Sequence, residues 1–114
     1  MHALIIEDDE LIALAIEDVL RDCGFTSFHV AVSLDRAIAS AHQRCPRLIT
    51  ADVELSPGSG IDAVQTICSA NPIPVVFITG RPDAVRSRML RHPVLGKPFQ
   101  TSEVETAVRE VMKR

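Results

Sequence analysis

An α/β domain with a five-stranded parallel sheet is predicted by three observations. Short apolar runs of strand length alternate along the whole chain with segments whose apolar residues recur at helical spacing. The earliest of these runs, Ala3 to Ile6, is apolar at every position, as a parallel strand covered on both faces must be. Four of the five runs also empty into a polar group that suits the carboxyl edge of such a sheet: Glu7-Asp8, Asp52, Thr79 and Lys97.

The elements follow in order. After the first strand and the acidic run Glu7-Asp8-Asp9-Glu10, a helix is set by Ile12, Ile16, Val19 and Leu20, with Leu11, Ala13 and Ala15 expected to widen its buried stripe and Gly24 to close it. Phe28 to Val32 is the second strand. Ser33 is placed to cap a helix whose inner face is Leu34, Ala37, Ile38 and Ala41, and Pro46 marks its exit. The third strand is Leu48 to Leu55, followed by a loop carrying Pro57, Gly58 and Gly60. A third helix over 60–70 buries Ile61, Val64, Ile67 and Cys68 before Asn71-Pro72 breaks it. Pro74 to Thr79 is the fourth strand. Between Arg81 and Pro93 the stripe is thin, Val85, Met89 and Leu90 among four arginines, so any helix there is weak. Val94-Leu95-Gly96 is a short fifth strand. The last helix starts near Ser102, carries Val104, Ala107, Val108, Val111 and Met112 inward, and has Ser102 and Glu105 at capping-box spacing.

Composition narrows the function classes. With 114 residues and 46% hydrophobic content, the chain suits one domain spanning 1–114, with no room for an output domain. A formal net charge of -3 gives no electrostatic grip on nucleic acid or an acidic membrane. The three cysteines are odd in number and lack metal-ligand spacing, so Cys23, Cys45 and Cys68 are expected to be buried thiols of a reducing compartment. With no signal-peptide pattern and no span-length apolar run, a cytoplasmic location is expected.

The strand-end groups converge on one edge of a parallel sheet. Three carboxylates crowded there, Glu7, Asp8 and Asp52, repel one another by several kcal/mol unless a cation sits among them. Oxygen ligands on a wet edge suit Mg²⁺, and Lys97 supplies further positive charge. For a phosphoryl donor, Asp52 can attack in line while Thr79 offers a hydroxyl and Lys97 a point charge. Taken alone, Asp52 is better read as a helix or loop cap, Thr79 as an ordinary strand-end residue and Lys97 as a solvated lysine; their joint placement reverses that. Asp9 and Glu10 are best explained by the dipole of the first helix. His2, His29, His42 and His92 have no partner at ligand spacing.

The chain resembles the receiver domain of two-component response regulators. The residues that carry the likeness are Ile5-Ile6-Glu7-Asp8-Asp9 after the first strand, Asp52 and Thr79-Gly80 at strand ends, Lys97-Pro98-Phe99 before the last helix, and Gly60 eight residues after Asp52. The resemblance implies a flavodoxin-like, doubly wound sheet of order 2-1-3-4-5 with helices on both faces. Asp52 then matches the phosphoacceptor, Asp8 a direct Mg²⁺ ligand, Glu7 a ligand acting largely through water, and Glu54 the residue whose backbone carbonyl reaches the metal. Thr79 matches the hydroxyl that moves to the phosphoryl group and Lys97 its ion-pair partner, with a cis peptide before Pro98.

Further implications are a histidine kinase or histidine phosphotransferase as donor and a downstream protein bound at the fourth helix, fifth strand and fifth helix. Also implied are a phosphate-sink role as the alternative output, no turnover as an enzyme, and a monomer or weak dimer. The chain departs from the pattern at Val94, where the family usually has Tyr or Phe, and in the 18-residue interval from Thr79 to Lys97, which shortens the fourth helix. Pro57 lies one place later than is common. These departures, with Pro74 to Gly80, resemble the alphaproteobacterial subfamily named for a Phe-Ala-Thr-Gly motif, Ile78 replacing the alanine. Two rival functions stay open at this point: a pseudo-receiver that binds partners without phosphate, and a small Mg²⁺-dependent aspartyl phosphatase. That phosphatase class normally has Asp where Glu54 stands.

Overall fold

The buried apolar runs of the sequence become strands because each is covered on both faces. In the computed structural model, which describes residues 1–55, 59–69, 71–88 and 91–113, β1 (His2–Ile6), β3 (Leu48–Ala51) and β4 (Val75–Thr79) are buried at every position. β2 (Ser27–Ala31) and β5 (Val94–Gly96) flank them. The five strands are parallel in the order β2-β1-β3-β4-β5. All carboxyl ends therefore lie on one edge, and the order reverses direction between β1 and β3, where a doubly wound sheet opens its crevice.

The helices α1 (Glu10–Asp22), α2 (Leu34–Gln43), α3 (Gly60–Cys68), α4 (Pro82–Arg86) and α5 (Thr101–Met112) divide between the two faces. One apolar core joins Ile5, Leu48, Val76 and Ile78 to Ile16 and Leu20 of α1 and Val104 and Val108 of α5. The other joins Leu4, Ile49, Val75 and Phe77 to Ala37 of α2 and Ile61 and Val64 of α3. Caps fix where the helices start. Asp9 Oδ1 accepts from the N–H groups of Leu11 and Ile12, Ser33 Oγ from Arg36, and Ser59 Oγ from Ile61. Gly24, just past α1, has φ +98°, a left-handed conformation that closes the helix with little steric cost.

Several expectations need correction. Leu11 and Ala15 do not widen the buried stripe of α1: both are exposed, and of the three widening residues only Ala13 is buried. The second strand ends one residue early, leaving Val32 outside it. The capping box of α5 is not Ser102 with Glu105: the helix starts at Thr101, and the Glu103 carboxylate accepts from the Gln100 N–H at 2.8 Å. Cys45 is exposed rather than buried, while Cys23 and Cys68 are half-buried, and all three are free thiols. The weak fourth helix is five residues long, anchored by the fully buried Val85. Pro57 and Gly58 of the loop, Ala70 of the third helix, and Met89 and Leu90 of the thin stripe lie outside the described residues. None of the described helices is long and apolar enough to cross a membrane.

Candidate functional site

The chain is still held in the sheet as it leaves β1 and β3. Glu7 N–H donates to the Ala31 carbonyl at 3.0 Å and Asp52 N–H donates to the Ile6 carbonyl at 2.9 Å. Ile5 pairs with Thr50, so two residues further on Glu7 and Asp52 project from the same face. Both are almost fully buried, at 1% and 5% exposure. Lys97 N–H donates to the Thr79 carbonyl at 2.9 Å, which continues the β4–β5 pairing by one step and brings the lysine side chain to the same crevice. The Lys97–Pro98 peptide is cis.

The side chains close into one network. Lys97 Nζ donates to Asp52 Oδ2 at 2.6 Å and to Glu7 Oε1 at 2.7 Å. The remaining carboxylate oxygens accept backbone N–H groups, Asp52 Oδ1 from Glu54 at 3.0 Å and Glu7 Oε2 from Asp9 at 3.0 Å. Burial raises the Glu7 carboxyl above its ordinary pKa, partly opposed by the bond from Lys97. Burial alone would depress the Lys97 ammonium, yet its bonds to Asp52 and Glu7 outweigh that and raise it. The ammonium is thus held charged between two acids.

Glu7, Asp8 and Asp52 each offer an oxygen to one small volume, all within 4.8 Å of one another. Asp8 is exposed, so the cluster opens to solvent on one side. Three hard oxygen donors against one ammonium are a donor set that fits Mg²⁺. Glu54 is also exposed; its side chain lies toward the end of β4, its Oε1 3.2 Å from where a Cβ on Gly80 would stand. Thr79 is fully buried, and its Oγ1 accepts from the Arg81 N–H at 3.1 Å. The fold therefore gathers Glu7, Asp8, Asp52 and Lys97 directly and places Thr79 and Glu54 at the ends of the adjoining segments.

Gly60 contributes something the spacing did not disclose. A Cβ there would fall 1.9 Å from the Asp52 carbonyl oxygen and 2.7 Å from its carbon, so α3 begins against the backbone of Asp52 itself.

The family profile for the response regulator receiver domain matches residues 3–109. The chain belongs to that family. Among curated proteins, this receiver domain is 34% identical over 113 residues to the phyllosphere-induced regulator PhyR of Methylorubrum extorquens, covering 96% of this chain and 42% of that one. It is 26% identical to the KDP operon regulator KdpE of Escherichia coli, covering 99% and 52%. Among solved structures it is similar to the receiver domain of Erythrobacter litoralis PhyR, with TM-score 0.88, 34% identity, and 98% and 89% of the two chains covered. PhyR of Brucella abortus superposes with TM-score 0.89 at 35% identity, over 98% of this chain and 47% of that one. The chain spans about half the length of the curated relatives it matches.

Proposed function

We propose that this receiver domain accepts a phosphoryl group on Asp52 and uses it as a binary signal. The observation that carries this reading is the shared grip of Lys97 on Asp52 and Glu7 beside the three-carboxylate cluster. That arrangement leaves a buried carboxylate desolvated on most sides and aimed into a crevice already furnished with a cation.

Glu7, Asp8, Asp52 and the Glu54 backbone carbonyl are the groups that would hold Mg²⁺. When bound, the ion would neutralise charge on the non-bridging phosphoryl oxygens. In the reaction an Asp52 carboxylate oxygen forms a bond to phosphorus as the bond from phosphorus to a donor histidine nitrogen breaks. The electron pair stays with the imidazole, and an acyl phosphate results. Lys97 then exchanges its bond to Asp52 Oδ2 for one to a phosphoryl oxygen. The Thr79 hydroxyl gives up its local role at Arg81 and turns to the same group.

The donor is a histidine kinase or histidine phosphotransferase, and the chain performs no turnover of its own. The added charge of about -1.5 to -2 biases the surface formed by α4, β5 and α5 toward a protein partner. Val94, buried where the family usually has an aromatic switch, does not report the change by flipping. The short α4 between Arg81 and Pro93 moves instead.

Intact-mass measurement after incubation with acetyl phosphate and Mg²⁺ tests the proposal. One phosphoryl group per chain is expected, absent in Asp52→Asn. Continuous release of inorganic phosphate from a generic phosphate ester, without a covalent adduct, would replace it by a phosphatase.

A further inference from the structure

The β2 edge of the sheet carries features that the phosphoryl chemistry leaves unused. Ser27 N–H donates to the Met1 carbonyl, and the Ala31 carbonyl accepts from Glu7. Backbone groups alternate sides along a strand, so the N–H and C=O of Phe28 and Val30 point away from β1. β2 is the outermost strand, and among the described residues nothing pairs with that side.

Natural sheets guard such edges with lysine, proline, a bulge or brevity. The opposite edge is guarded: β5 has three residues and lies between Pro93 and Pro98. β2 has five residues, Ser27-Phe28-His29-Val30-Ala31, and continues into Val32 without a lysine or proline.

The surface beside this edge is apolar. Leu14 is 56% exposed, Val30 39% and Val32 42%. They line a cleft of about 340 Å³ between α1 and the edge, with Glu10 and Glu17 at its rim. The charge reverses along the edge. Glu10 stands at the Val32 end. At the other end, the Arg21 guanidinium stacks 4.7 Å above the Phe28 ring while also holding Glu17, and Arg44 donates to Ser27 Oγ at 2.8 Å.

An edge that is acidic at one end and basic at the other is complementary to itself when turned antiparallel. We propose that the β2 edge docks a second copy of this chain. The two β2 strands pair antiparallel about a two-fold axis near Val30 and join the two sheets into one. Phe28 of each copy then faces Val32 of the other, and the Leu14 side chains cover the paired valines. Glu10 of each copy approaches Arg21 of the other. A basic extended segment from another protein would gain Glu10 but meet Arg21 and Arg44, a conflict that the second copy avoids.

None of the pairing groups belongs to the Asp52 site, so this proposal and the phosphorylation proposal fail independently. Sedimentation equilibrium of the whole unphosphorylated chain, from micromolar to millimolar concentration, tests it, with circular dichroism verifying that each variant is folded. Wild type is expected to dimerise reversibly. Val30→Pro removes an N–H that the sheet does not use, and Val30→Lys sets two ammonium groups together at the axis. Each should weaken the dimer about tenfold or more. Glu10→Arg and Arg21→Glu should each weaken it, and the double variant should recover it. A chain that stays monomeric at millimolar concentration, a dimer indifferent to both Val30 variants, or a double charge swap that adds losses would overturn the proposal.

Discussion

Lys97 Nζ lies 2.6 Å from Asp52 Oδ2, and the same ammonium lies 2.7 Å from Glu7 Oε1. One cation therefore balances two buried acids from different strands, and its removal leaves both uncompensated. Lys97→Ala is expected to destabilise the fold by on the order of 3 kcal/mol in urea titrations without added metal, with millimolar Mg²⁺ restoring part of the loss. An unchanged unfolding midpoint would mean that the two contacts carry no net energy.

Gly60 and Asp52 give a second expectation. A methyl group at position 60 would overlap the Asp52 carbonyl, so the start of α3 or the Asp52 backbone must move. Gly60→Ala should cost about 2 kcal/mol and slow phosphorylation by acetyl phosphate about tenfold or more. Wild-type rates in this variant would show that the backbone yields without displacing the carboxylate.

Thr50 sits two residues before Asp52 on the same face of β3, fully buried, and its hydroxyl has no hydrogen-bond partner among the described residues. Its neighbours across the sheet are Ile5 and Val76. Thr50→Val replaces the unsatisfied oxygen by a methyl group of similar size and should stabilise the protein by about 1 kcal/mol. A lower melting temperature would point to a partner for that hydroxyl.

His2 is buried, and its Nδ1 lies 2.8 Å from Ser27 Oγ. Burial, with Arg44 nearby, lowers its pKa from the ordinary 6.5. The unfolded chain therefore takes up a proton on this imidazole as the pH falls through about 6.5, while the folded chain resists it. This contribution to stability is intact above that pH and is lost progressively below it. His2→Gln should flatten that part of the stability profile, measured by denaturation at stepped pH; a profile of unchanged slope would assign it to other groups.

Much of this was visible in the sequence because strand ends and helical stripes are local patterns. Ile12, Ile16, Val19 and Leu20 recur at helical spacing whatever they pack against, and Glu7, Asp52, Thr79 and Lys97 each close an apolar run. What stayed hidden depended on facing elements. Leu11 and Ala15 read as part of a stripe, but α1 packs through Ala13, Ile16, Val19 and Leu20 and leaves the face that carries Leu11 and Ala15 exposed. The partner of His2 was not visible because Ser27 meets it only through the β1–β2 register. The α5 cap was misplaced by two residues because Ser102 and Glu105 satisfy the same spacing rule as Gln100 and Glu103. Gly60 was legible as a glycine at a telling interval, but its reason, contact with the Asp52 carbonyl, required the backbone.

If this receiver domain works as proposed, Asp52 itself carries the phosphoryl group. An acyl phosphate is reduced by borohydride to an alcohol, so treating the phosphorylated chain and sequencing its peptides by tandem mass spectrometry marks the acceptor directly. Homoserine is expected at position 52, formed only when both Mg²⁺ and the phosphodonor are present. An intact Asp52, or the mark at Asp8 or Glu7 instead, would contradict it.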